Sequence, residues 1–174
     1  ATNVGACLAG GEFLAMLNDD DYWIADNKLS LQVEFLRKHA EFAVVGTAWD
    51  EVFDDRVVHH QTCDLTIDKT SVLKGGGLVG GSTLFTRRNV FFQLGGFKTK
   101  QSRGLDSQYV RSAVLAGYNV GNVNTVTTVA DARSTHERMT PVASQSDRVT
   151  ALRAHAMVLR RHWFQYAIHP RAIP

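Results

Sequence analysis

Five consecutive apolar residues, Phe13 to Leu17, run straight into Asn18-Asp19-Asp20-Asp21. A continuous apolar run this short suits a strand buried on both faces. Three adjacent carboxylates at its end repel one another and need a cause. In open α/β sheets, ligands bind at the carboxyl ends of strands. A divalent cation there relieves the repulsion, and oxygen-only donors suit Mg2+ or Mn2+ with substrate phosphates completing the shell. The competing reading is a solvated acidic turn. An EF-hand loop is disfavoured, because the spaced carboxylates and mid-loop glycine are missing.

The flanking segments predict an α/β fold with at least part of the sheet parallel, and the full expectation is a mixed, mostly parallel sheet flanked by helices. Thr2 to Ala9 reads as the end of a helix stopped by Gly10-Gly11. Lys28 to His39 reads as an amphipathic helix, with Leu29, Val33 and Leu36 on its apolar face and Gln32 between them. A buried strand is expected over Phe42 to Trp49, then a turn at Asp54-Asp55 between two extended pieces. Thr66 caps a short helix to Lys74. A strand ending Thr83-Leu84-Phe85 precedes a short helix, Val90 to Leu94, closed by Gly95-Gly96. Leu105 to Ala116 is helical, and Tyr118 to Val123 and Thr125 to Ala130 are strand-like. A polar loop runs from Asp131 to Ser146, and Asp147 caps a long helix to about Trp163. The expected division is therefore 1–146 as the main portion and 147–174 as a terminal helix and tail.

Length and charge remove several function classes. The chain has 174 residues, 19 basic and 17 acidic, with a formal net charge of +2. That balance gives no reason to expect a nucleic-acid or anionic-membrane surface. The longest charge-free stretch, Ser112 to Ala130, carries Asn119, Asn122, Asn124 and several threonines, which are costly in lipid, so no transmembrane segment is expected. Cys7 and Cys63 make neither a disulfide scaffold nor a zinc site, and both read as buried thiols. The cytoplasm is the default compartment, with the inner face of a membrane as a second possibility.

Four segments in order carry a resemblance. Ala1-Thr2-Asn3-Val4-Gly5, then Ala9 and Gly11-Glu12-Phe13-Leu14, then Leu17 through Trp23, with Lys28-Leu29 and Gln32 after them, resemble the central signature of family 2 glycosyltransferases. Gly81 through Arg88 with Val90-Phe91 and Leu94-Gly95-Gly96-Phe97 is similar to a second family segment. Gly104-Leu105-Asp106-Ser107-Gln108-Tyr109 with Arg111 is similar to a third. His136 stands where some relatives place a metal- or phosphate-binding histidine.

The resemblance implies a partial GT-A fold that begins after the nucleotide-binding strands. It therefore implies an uncovered sheet edge, closed by a missing N-terminal half or by self-association. It also implies metal-dependent inverting transfer of a sugar from a nucleoside-diphosphate donor to a carbohydrate or other hydroxyl acceptor. Asp106 would be the general base. Asp20, Asp21 and His136 would hold Mn2+ or Mg2+. Asn3, Asn18, Asp19, Arg87, Arg88 and Arg111 would contact substrate. Asp106, at a helix N-terminus, is expected to be held in its charged form. Two positions depart from the pattern: Asn18 stands where an Asp is usual, and Thr2 where an Arg is usual. They support a second reading, a non-catalytic GT-A remnant that binds a partner. A third is another metal-dependent phosphoryl or nucleotidyl enzyme. Residue by residue, bland alternatives stay open: Asp106 as a plain helix-start carboxylate, Arg87-Arg88 as a solvated pair, and Trp23 as core instead of a sugar platform.

Overall fold

The computed structural model describes residues 2–60, 67, 69–70, 79–98 and 104–133. The expected helix from Thr66 to Lys74 apart from 67 and 69–70, the expected loop beyond 133, the helix from Asp147, Cys63 and His136 lie outside the described residues. So does the division at residue 146. Asp131, expected in the loop, ends the strand Asn119–Asp131. The elements are α1 (Thr2–Leu8), β1 (Phe13–Ala15), β2 (Asp21–Trp23), α2 (Lys28–Lys38), β3 (Phe42–Val52), β4 (Val57–His60), β5 (Phe85–Arg87), α3 (Arg88–Gln93), α4 (Leu105–Leu115) and β6 (Asn119–Asp131). A 3-10 turn, Gly81–Thr83, leads into β5.

The strands form one mixed sheet in the order β1-β5-β3-β6-β2, with β4 also on β3. The expectation of mostly parallel pairing is corrected. Only β3 and β6 run parallel, and the other ladders among the described residues are antiparallel. Alternating strands and helices predict parallel neighbours only when consecutive strands sit side by side. Here β1 pairs with β5, and β2 with β6, both distant in sequence. The two strand-like runs after α4 are one strand. Thr47 pairs with Val123 and Ala48 with Val126, so the apparent break at Asn124-Thr125 is an irregularity within β6.

Each face of the sheet has its own apolar cluster. Leu14, Val44, Leu84 and Val120 pack against Ala6 of α1, Val90 and Phe91 of α3, and Tyr109 and Ala113 of α4. On the other face, Val45, Phe42 and Phe85 pack against Leu36 of α2. Two burial expectations change. In β1 only Leu14 is buried; Phe13 is half-buried and Ala15 exposed, because β1 ends the strand order. In α2 the fully buried stripe is Lys28, Gln32 and Leu36, while Leu29 is exposed. The stripe keeps the i, i+4, i+8 spacing of a helix face; Leu36 is as expected, while Lys28 and Gln32 stand one residue before Leu29 and Val33. Cys7 is exposed, not buried.

The chain reversal after α3 shows why two glycines stand there. Gly95 and Gly96 have φ of 78° and 62°, and a Cβ on Gly96 would lie 2.9 Å from the Asn3 Oδ1. Left-handed backbone and a crowded neighbour both exclude a side chain. By contrast, Gly10 and Gly11 do not adopt positive φ, so α1 does not end in a left-handed cap.

Candidate active site

The acidic segment, the Gly81–Thr83 turn and the start of α4 meet at one place. Met16 N–H donates to the Leu84 carbonyl (3.0 Å), which lays the segment after β1 along the turn. Ser82 then ties the two together. Its hydroxyl accepts from the Asn18 N–H (2.9 Å) and donates to Asp21 Oδ2 (2.5 Å). Its carbonyl accepts from the Trp23 indole N–H (3.0 Å). Asp21 Oδ2 also accepts from Asn18 Nδ2 (3.0 Å). An amide at position 18 therefore supports Asp21, where a carboxylate at the same place would repel it.

Gly81 brings Asp106 into this group. A methyl group added at Gly81 would sit 3.3 Å from Asn18 Nδ2 and 3.4 Å from Asp106 Oδ2. A Cβ at position 81 would be in tight contact with both side chains, and Asn18 would have to give by a few tenths of an ångström. Asp106 lies in the first turn of α4, and its Oδ1 accepts from the Ser107 N–H at 2.7 Å. Its pKa is raised. Desolvation by burial dominates, and the hydrogen bonds from Ser107 oppose it. Burial thus works against the helix start, which favours the charged form. A carboxyl with a raised pKa is a stronger proton acceptor once ionised.

The acidic segment offers three carboxylates as metal donors. Asp19 is exposed and Asp20 half-buried, and neither carboxylate has a hydrogen-bond or ion-pair partner among the described residues. Asp21 Oδ1 has no hydrogen-bond partner among the described residues. No group of three or more potential ligands gathers among the described residues. Asp19, Asp20 and Asp21 are hard oxygen donors, the type that Mg2+ or Mn2+ takes when substrate phosphates complete the shell.

Other expected site residues have tasks in the fold. Asn3 Nδ2 donates to the Phe97 carbonyl (2.8 Å), and the Phe97 N–H donates to Asn3 Oδ1 (3.0 Å). Both ends of the amide lock α1 to the Gly95-Gly96-Phe97 reversal, a structural task beside the expected substrate contact. Arg87 has a structural task as well. Its guanidinium donates to the Phe42 carbonyl (2.9 Å) and the Leu36 carbonyl (2.5 Å), joining the end of α2 to the start of β3. Arg88 lies over the Phe92 ring at 5.0 Å, and its Nε is buried without a partner among the described residues. Arg111 sits on α4, five residues after Asp106. Trp23 is half-buried beside the site, with its indole N–H engaged on Ser82.

Ser82 and Lys28 were missed as site residues. Both stand inside segments quoted for the resemblance, but nothing local marks them as partners. Lys28 is 1% exposed, its Nζ donates to Gln32 Oε1 (2.6 Å), and it lies 4.5 Å over the Trp23 ring. Burial lowers its pKa to about 8 from 10.5. A base whose folded pKa is depressed destabilises the fold below that value, and the cost disappears as pH rises towards the unfolded value. Lys28→Met is therefore expected to melt several degrees above the parent at pH 7, with the gain shrinking between about pH 8 and 10.5. Thermal melts across that range check it.

No family model matches the chain, and no curated protein matches it in sequence. Solved structures do match in fold. A crystal structure of S. aureus TarS residues 1–349 in complex with UDP-GlcNAc aligns at TM-score 0.63 and 18% identity. It covers 82% of this chain and 40% of its own. A mannosyltransferase from Pyrobaculum calidifontis in complex with GDP-Man and Mn2+ aligns at TM-score 0.57 and 17% identity. It covers 91% of this chain and 42% of its own. The fold is part of a glycosyltransferase fold. The chain spans about two fifths of the length of those two neighbours. No helix among the described residues is long and apolar enough to cross a membrane.

Proposed function

We propose that the chain carries the metal-binding, acceptor-side and general-base part of an inverting, family 2-type glycosyltransferase of GT-A architecture. The reading rests on one observation above others: the Asp106 carboxylate meets Asn18, next to the acidic segment, across the bare Cα of Gly81. A general base has to face the donor's reacting carbon, and the acidic segment is where a donor diphosphate would be held.

In this reading Asp106 Oδ2 accepts the proton of an acceptor hydroxyl as its oxygen attacks the anomeric carbon. The bond to the diphosphate breaks on the opposite side, which inverts the configuration. Asp20 and Asp21, with His136 outside the described residues, would hold Mn2+ or Mg2+. When bound, such a cation supplies neutralising charge for the leaving diphosphate. Asn18 and Asp19 orient the donor ribose, and Arg88 and Arg111 contribute positive charge on the acceptor side. Ser82 fixes the Asp21 carboxylate so that it does not reorganise during transfer. The donors bound by the fold neighbours, UDP-GlcNAc and GDP-Man, make a nucleoside-diphosphate sugar the class to test.

A second reading, a binding module without turnover, is favoured by Asn18, whose amide replaces a negative charge beside the proposed metal site. Calorimetric titration with uridine diphosphate and guanosine diphosphate, with and without manganese, tests the proposal. Binding that requires manganese is expected. Equal heats with and without the metal would sink the metal assignment. Metal-dependent binding with no transfer to any hydroxyl acceptor would favour the module.

A further inference from the structure

Lys28 is an ammonium group almost wholly removed from water, with no carboxylate partner among the described residues. An apolar side chain of the same size would fill this place without desolvating a charge. Its contacts show what the lysine does instead. Gln32 donates from Nε2 to the Thr83 carbonyl (2.7 Å) and the Val45 carbonyl (3.2 Å). With its amide nitrogen held by two acceptors, its Oε1 can only face a donor, and Lys28 Nζ is that donor at 2.6 Å. On its other side Lys28 lies over the Trp23 ring, whose N–H holds the Ser82 carbonyl. The carbonyls of Ser82 and Thr83 are thus gripped by two side chains, and one lysine braces both.

We propose that Lys28 is a positioning residue for the acidic site: through Trp23 and Gln32 it fixes the Gly81–Thr83 turn against Asn18 and Asp21. The geometry of the brace stands by itself, and only its consequence for metal binding and transfer rests on the functional reading above. A small displacement of the turn reaches Asn18, Asp21 and Asp106 together. Ser82 holds Asn18 and Asp21, and Gly81 separates Asn18 from Asp106. A helix-borne brace is stiffer than the loop it supports, which is what a pre-organised site requires.

The experiment is amide hydrogen exchange by NMR on the full 174-residue chain and its Lys28→Met and Gln32→Met variants. The Asn18 backbone N–H reports its bond to Ser82, and the Trp23 indole N–H, assigned through Trp23→Phe, reports the other. Val44 and Val45 report the core of the sheet. In both variants the Asn18 and Trp23 protons are expected to exchange at least about tenfold faster, with Val44 and Val45 no faster. Manganese alone, followed by electron spin resonance, is expected to bind about tenfold more weakly to both variants. Unchanged exchange at Asn18 and Trp23 overturns the proposal. Acceleration that spreads equally to Val44 and Val45 also overturns it, because the lysine would then support the fold at large. Local acceleration in a chain whose parent binds no manganese upholds the brace and refutes the metal reading, so the two failures are told apart.

Discussion

Asp106→Asn is expected to lower sugar transfer by about 10²–10⁴-fold while leaving binding of a nucleoside diphosphate with manganese unchanged. The amide keeps the shape of the carboxylate and its place against Gly81, but it cannot accept the acceptor's proton. The same substitution is expected to stabilise the fold at neutral pH. Burial raises the folded pKa of this carboxyl above its ordinary 3.8. An acid with a raised folded pKa favours the native state while protonated, and that contribution is lost as pH rises through the folded value. The asparagine has no such loss. Its melting temperature should exceed the parent's at about pH 8, and the difference should close towards about pH 4. Activity assays and melts on one pair of proteins check both halves. Undiminished turnover would remove Asp106 from the chemistry. A variant less stable than the parent at about pH 8 would show that the carboxylate's hydrogen bonds outweigh its burial.

Gly81→Val should reduce transfer by about 10²-fold or more with little change in melting temperature. Even a lone Cβ at this position stands 3.3–3.4 Å from Asn18 and Asp106, so the extra methyl groups must push one of them away. The backbone at Gly81 is not left-handed, so the substitution strains no dihedral angle and its effect is one of volume. Gly10→Ala is the control, since a Cβ there meets nothing within 4 Å. If Gly81→Val turned over like the parent, Asp106 and Asn18 would not need their present separation. The idea of a shared site would then fail. If Gly10→Ala lost as much activity, crowding at Gly81 would not be the cause.

Helix α4 begins at Leu105, as expected, and ends within a residue of its expected end. The stop at Gly95-Gly96 and the hairpin about Asp54-Asp55 were legible for the same reason: each depends on residues close in sequence. The acidic segment, too, was legible as a candidate site, because charge repulsion among neighbours needs no tertiary knowledge. The orientation of individual polar side chains was not. Asn3 and Arg87 sit in segments quoted for the resemblance, yet both turn inward to backbone carbonyls.

Position along the chain, local propensity and unusual charge density are properties of short windows, and the sequence by itself determined what depends on them. It placed the acidic segment after β1, an acidic residue at the start of α4, and an alternation of strands and helices. Only the tertiary structure decided the pairing of β1 with β5, the buried stripe at Lys28, Gln32 and Leu36, and the role of Ser82. The physical reason is distance along the chain. The bonds that assemble the site join residues 61 and 64 positions apart, and the one that locks α1 joins residues 94 apart. A polar side chain has the same composition whether it meets water or a buried carbonyl. Which of the two it meets is settled when the sheet closes around it.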